Sequence, residues 1–225
     1  MILHDLLGDE AHESYKKLEA SNGLRHYDFL RSIVQAALEV DRPFLSQTVL
    51  KALNYHSIAC LHPNAGIYRP CKIYVGENHN FPEPWQIPDL MDDFFNLVNR
   101  RWGESDDLVL SAFVLWRLNG IHPFINGNGR TARAACLFVL CVKAGGWLPY
   151  SPILPELIRA NRAEYITILQ GVDASVQAGE LELAPLVEFL SRLIRQQIGD
   201  VNVELNTTNC SIPDGHISPR RSALF

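Results

Sequence analysis

Apolar residues recur along most of this chain at the three- and four-residue intervals that line one face of an α-helix. Over 24–40, Leu24, Tyr27, Leu30, Ile33, Val34, Ala37 and Leu38 share a face and predict a first helix. Pro43 and Ser46 introduce a second helical stretch that runs to about Cys60. Residues 88–102 open with Pro88 and Asp89, favoured in a first turn, and end in Arg100, Arg101 and Gly103, predicting another. Further helices are expected over 106–118, 129–143, 155–178 and 184–198. Asp106 and Asp107 stand at the dipole-favoured end of the first of these, and Gly145 and Gly146 close the second. One stretch breaks the period. From Gly66 to Gly76 the residues are β-branched and aromatic, which predicts a short extended segment or hairpin. From Asp200 onward the polar Asn, Thr, Ser and Pro content is that of a flexible tail.

Composition narrows the class. The chain has 225 residues, 47% hydrophobic and 20% charged, with a formal net charge of −5. A chain of this length buries about 70% of its unfolded surface and so can hold a core unaided. Its longest apolar runs, 108–116 and 134–142, fall well short of the ~20 residues that cross a bilayer. The opening MILHDLLGDE lacks a basic region followed by a sustained apolar run, so no secretory signal is read there. The mild acidity offers no field for a nucleic acid backbone. Five cysteines (Cys60, Cys71, Cys136, Cys141 and Cys210) form no CxxC pair and suit reduced thiols. The expected location is cytoplasmic, with delivery into another cell's cytosol left open, and neither membrane nor nucleic acid is an expected partner.

Candidate chemistry concentrates in twelve residues, His122-Pro123-Phe124-Ile125-Asn126-Gly127-Asn128-Gly129-Arg130-Thr131-Ala132-Arg133. They lie between two helical patterns, so they form a loop that feeds a helix N-terminus. The Asn-Gly pairs let successive backbone N–H groups turn inward as an anion nest, and the helix adds its positive end. Arg130 and Arg133 share a face near that end, against the usual dipole preference, and an anion is the partner that justifies them. Polyphosphate fits two guanidinium forks and a row of N–H groups. His122 is placed as a general base beside it.

The ordered combination resembles the Fic (Fido) family. That family's signature runs His-x-Phe, an acidic residue, a small residue, Asn, Gly or Lys, Arg, and a second Arg three residues later. His122, Phe124, Gly127, Asn128, Gly129, Arg130 and Arg133 match it position by position. Gly66–Arg69 with Lys72–Gly76 is similar to the β-hairpin flap that precedes the motif, and Arg162 and Tyr165 to a downstream Arg-x-x-Tyr. The resemblance implies an all-α, Fic-type helical bundle with a small β-hairpin flap. A helical extension over 1–62 would pack on a core over 63–198, followed by a polar tail over 199–225.

It further implies transfer of AMP from ATP to a Ser, Thr or Tyr hydroxyl of a target protein. His122 would take the hydroxyl proton. Gly127, Asn128 and Gly129 would hold the α- and β-phosphates, Arg130 the β and Arg133 the γ. Phe124 would anchor the loop, and Gly129 rather than Lys favours nucleotidyl transfer. Lys72, Ile73 and Tyr74 of the flap would hold the target by strand addition, and Tyr165 would face the base pocket.

The match departs at one position. Where the family carries a Mg²⁺-binding carboxylate (Mn²⁺ can serve as well), this chain has Asn126, whose amide oxygen coordinates without charge. Three readings stay open: a weakened nucleotidyltransferase, a Fic-like enzyme with another phosphate-containing donor, and a non-catalytic module that binds a nucleotide or partner. Ile166 and Asp173 stand where relatives often carry an aromatic and an Asn, which leaves adenine selection less constrained than phosphate binding. Many relatives are restrained by a helix bearing Ser or Thr, three residues, then Glu. No such run is found, since Ser14 to Glu19 is off by one and Ser175 reaches Gly179 before Glu180. Restraint is then expected from a regulator chain, or not at all.

Overall fold

The computed structural model of the protein describes residues 2–40, 45–75 and 81–199. Nine α-helices stand among them: α1 (Leu3–Leu7), α2 (Glu13–Val40), α3 (Gln47–Ile58), α4 (Ile87–Arg101), α5 (Asp107–Ile121), α6 (Asn128–Lys143), α7 (Leu154–Ala160), α8 (Arg162–Gln177) and α9 (Ala184–Ile198). The architecture is all-α, as the periodicity predicts. No described helix is long and apolar enough to cross a membrane.

Helix ends fall where capping chemistry puts them. Ser46 caps α3 by accepting the Val49 N–H at 3.2 Å, and Asp106 caps α5 by accepting the Leu108 N–H at 2.8 Å. The stretch read as one helix over 155–178 is two, broken at Asn161, whose side-chain amide turns back to the Leu157 carbonyl at 2.9 Å. α2 differs most. It runs straight through Asn22-Gly23 and starts eleven residues before the predicted Leu24, because Asn22 is buried and donates to the Ala59 carbonyl at 2.9 Å. A tertiary bond thus overrides a local turn signal.

α5 is apolar on all sides and lies at the centre, with Leu108 to Trp116 buried without interruption. It packs chiefly against α6, where Ala132, Ala134, Ala135 and Cys136 are fully buried and their small side chains let the two helices approach closely. α2 and α3 close over α6 from one side, and α4, α7 and α9 enclose the pair from the others. One apolar cluster runs from Leu30 to Ile198, continuous across the expected boundary at residue 62. Cys136 and Cys141 are buried free thiols inside it; burial raises both, Cys141 to about 11. Cys60 and Cys71 are exposed free thiols, and Cys210 lies outside the described residues.

The expected hairpin lies partly outside the described residues. Over 67–75 the chain carries no ladder, and the sole strand-like pairing among the described residues is a bridge between Tyr68 and Phe124. Gly76 to Asn80, where the hairpin would turn, lie outside the described residues, as does the tail from Asp200. The extended segment instead bonds to the motif loop: the Arg69 N–H donates to the Pro123 carbonyl at 2.9 Å.

Candidate active site

The motif loop joins the C-terminus of α5 to the N-terminus of α6, the two helices at the centre of the fold. Rigid elements on both sides therefore fix its ends. His122 terminates α5 in the left-handed region (φ 51°, ψ 58°), with its N–H on the Leu118 carbonyl at 3.0 Å. Such a conformation costs a residue with a Cβ on the order of 1 kcal/mol, and surrounding bonds hold it. His122 Nδ1 lies 3.1 Å from the Asn119 carbonyl oxygen. A carbonyl can only accept, so Nδ1 carries the proton and the Nε2 lone pair is the basic one. Asn119 in turn donates to Tyr165 Oη at 2.9 Å. The Phe81 ring lies against the imidazole with centroids 4.3 Å apart.

The loop itself is over-determined. Phe124 is fully buried, its N–H donates to Asn128 Oδ1 at 2.8 Å, and its carbonyl accepts from Asn128 Nδ2 at 2.7 Å. Both ends of the Asn128 amide are thus engaged with loop backbone, and what Asn128 can offer an anion is its main-chain N–H. Gly127 sits at φ 77°, and a Cβ there would come within 2.8 Å of Ile58 Cγ2 and Ser57 Oγ, so glycine is required. Buried Asn54 of α3 ties three parts together. Its Nδ2 donates to the Asn126 carbonyl at 2.9 Å and to Thr131 Oγ1 at 3.2 Å, and its Oδ1 accepts the Gly66 N–H at 2.9 Å.

A cavity of about 940 Å³ opens beside the loop. His122, Asn126, Gly127, Asn128, Gly129, Arg130 and Arg133 line it. Lys72, Ile73, Tyr74, Trp116, Tyr165 and Asp173 line it as well. Every site residue predicted from sequence therefore borders one space. The first amides of α6 have no acceptor inside their own helix and add to its positive lining.

The two arginines differ in their surroundings. Arg133 Nη1 lies over Gly129, 3.1 Å from where a Cβ would stand, and no carboxylate among the described residues pairs with it. Burial pulls its pKa down from the ordinary arginine value. A half-buried guanidinium without a counter-ion is the partner an anion would satisfy. Arg130 is already engaged, with Glu19 Oε1 at 3.0 Å, the Ser57 carbonyl at 3.3 Å and Asn126 Oδ1 at 3.2 Å. So a glutamate of α2 does reach the motif, on its first arginine rather than its second.

Three further residues shape the site and were not assigned from sequence. Arg69, 2% exposed, donates Nε to the His122 carbonyl at 2.8 Å, Nη1 to the Cys71 carbonyl at 3.0 Å and Nη2 to the Pro82 carbonyl at 2.5 Å. It pins the root of the flap to the backbone of His122 itself, a bond that nothing local in the sequence marks. Asn119 and Glu19 are the others. Tyr165 is also more deeply set than a base-pocket residue needs: it is buried, stacked on Phe189, and its phenol is raised by burial. Trp116 Nε1 donates to Asp173 Oδ1 at 2.7 Å, so Asp173 is held at the wall rather than left as plain helix surface.

The Mg²⁺ implied by the sequence resemblance finds no ready carboxylate. Asn126 Oδ1 already accepts from the Gly127 N–H and from Arg130, and among the described residues the one acid lining the cavity is Asp173. These residues do not by themselves build a site for a hard cation.

Comparison with known proteins supports the same direction. The sequence model of the Fic/DOC family matches residues 44–140. Proteins named protein adenylyltransferase Fic are 28% identical over 180 residues in Drosophila willistoni and 26% over 178 residues in Aedes aegypti, each covering 78% of this chain. The chain spans about a third of those relatives' length. Among solved structures, a Fic domain containing signaling protein from Bacteroides thetaiotaomicron superposes with a TM-score of 0.62 at 26% identity, covering 85% of this chain and 73% of that one. A Fic family protein from Desulfovibrio desulfuricans reaches the same TM-score at 23% identity, covering 84% and 53%, and so speaks to the fold alone.

Proposed function

We propose that this chain, whose residues 44–140 match the Fic/DOC family model, moves a nucleoside monophosphate, AMP from ATP, onto a Ser, Thr or Tyr hydroxyl of a target protein. The observation that carries this reading is a cavity lined by a histidine of fixed tautomer and by an arginine that has no carboxylate partner among the described residues. His122 Nε2 takes the hydroxyl proton as the hydroxyl oxygen attacks the α-phosphorus. A new O–Pα bond forms, the bond from Pα to the bridging oxygen breaks, and pyrophosphate leaves with the electron pair. The α6 amides and Arg133 hold the phosphates, and positioning with charge neutralisation supplies most of the rate. Lys72, Ile73 and the 78% exposed Tyr74 flank the space where the target would lie.

A second reading is a nucleotide- or partner-binding module without transfer, favoured by the engagement of Asn126 Oδ1 with the Gly127 N–H and Arg130. A third, a different phosphate-containing donor, rests on Asp173 in place of an amide at the cavity wall. Incubation with labelled ATP, CTP, GTP or UTP, Mg²⁺ or Mn²⁺, and lysate separates the three. Label from ATP alone supports AMP transfer, label from another donor supports the third reading, and binding without label supports the second.

A further inference from the structure

A second cluster of chemistry-bearing side chains lies behind the loop, outside the cavity. We propose that His4, Glu10 and His62 form a binding site for one divalent transition ion of the zinc class. One ligand atom from each residue lies within 4.8 Å of the others. His62, only 7% exposed, follows α3, and its Nε2 has three neighbours: Glu10 Oε1 at 3.1 Å, Tyr15 Oη at 2.8 Å and Asn126 Nδ2 at 2.8 Å. An imidazole nitrogen carries one proton or one lone pair, so it answers one of these partners and not all three. The ligand atoms of a carboxylate and a second imidazole converge on this buried nitrogen, the donor set a transition ion takes.

The chain holds this arrangement in place before any ion arrives. The Leu3 N–H donates to the Cys60 carbonyl at 2.9 Å and the His4 N–H to the Leu61 carbonyl at 3.1 Å, setting α1 beside His62. The His4 and His62 rings lie with centroids 4.6 Å apart. Beneath them Tyr15, Ile58 and Leu61 form a small apolar cluster of their own, joined by Leu3, Leu7 and Leu18. Two imidazoles and one carboxylate suit zinc and its neighbours, whereas Mg²⁺ prefers an all-oxygen shell. Asn126 Nδ2 also lies 3.1 Å from Glu10 Oε1, so it would steady the ligating carboxylate from the second sphere. A bound ion would tie the first ten residues to the phosphate loop. Nothing in this depends on whether transfer occurs.

The test uses the full chain stripped of metal and titrated with Zn²⁺ and, in parallel, Mg²⁺, by calorimetry and thermal unfolding. Cobalt absorption reports the coordination geometry. His4→Ala and Glu10→Gln are the informative variants, because their side chains are 44% and 54% exposed and their loss should not unfold the protein. Expected are binding of Zn²⁺ that raises the Tm, no comparable response to Mg²⁺, and at least a tenfold loss of zinc affinity in each variant. No zinc binding, or wild-type zinc affinity in either variant, overturns the proposal and would assign any bound zinc to exposed groups such as His12 or Cys60.

Discussion

Replacing Glu19 by Gln keeps the side chain's size and removes its charge from Arg130. The ion pair spans 3.0 Å, with the carboxylate 45% and the guanidinium 25% exposed. At an effective dielectric of about 20, Coulomb's law gives roughly 5 kcal/mol at that distance, before either group's loss of hydration is counted. Measured pairs with this much exposure contribute about 0.2–1 kcal/mol, and that is the scale to use. Arg130 keeps the Ser57 carbonyl and Asn126 Oδ1 in the variant, so its guanidinium stays at the loop. Stability should therefore fall by less than about 1 kcal/mol. A triphosphate no longer competes with a carboxylate for Arg130, and its affinity should rise about 1.4- to fivefold, the same energy expressed as a ratio. Calorimetric titration of ATP into wild type and Glu19→Gln measures this directly, and the gain should shrink as salt screens the pair. Unchanged or weaker ATP binding in the variant would refute the competition.

Other perturbations follow from the same geometry. Arg69→Ala strands three carbonyls that now accept from a buried guanidinium, so it should cost roughly 3–5 kcal/mol and lower the Tm by on the order of 10 °C. Thermal unfolding by circular dichroism checks it. Gly127→Ala forces a Cβ into φ 77° and to within 2.8 Å of Ile58 and Ser57, which should cost about 2–4 kcal/mol and weaken nucleotide binding; denaturant unfolding with ATP titration reads both. Buried His26 of α2 holds Nδ1 on the Leu53 carbonyl, while Nε2 has no partner; desolvation lowers its pKa from the ordinary 6.5 to about 4. Below pH 6.5 the unfolded chain binds a proton that the folded chain refuses. Stability should thus decline between about pH 6.5 and 4, by about 3 kcal/mol in total, and this contribution should level off below that. Denaturant midpoints across that range should show the slope in wild type and lose it in His26→Gln.

Much of the site could be read from local sequence because its parts are local. His122 to Arg133 is one loop and one helix start, and its glycines and arginines carry their physical reasons within twelve residues. Helices with a clean apolar stripe, α4 and α9 above all, were equally legible. What escaped depends on contacts between distant residues. Glu19 was discounted for its spacing, yet α2 extends through Asn22-Gly23 on the strength of one bond to Ala59 and brings that carboxylate to Arg130. Arg69 reads as one more polar residue in a strand-like run, and only the fold shows three carbonyls converging on it. Asn128 shows the reverse. Its place in the motif suggests a phosphate ligand, whereas both ends of its side chain close the loop on Phe124. The extended flap segment carries the right residue types for a strand, but its described part is bound to Pro123 and Phe124 rather than to a second strand.

If His122 is the base in AMP transfer, wild type and His122→Ala should part in transfer while binding ATP alike. Both proteins are titrated with ATP and then incubated with ATP, Mg²⁺ and a lysate, with transfer read by intact mass and by label. Closely similar ATP affinity is expected, because the phosphates rest on the α6 amides and Arg133, together with AMP adducts in wild type alone. Equal adduct formation by the two proteins, or none by wild type despite bound ATP, would contradict that role for His122.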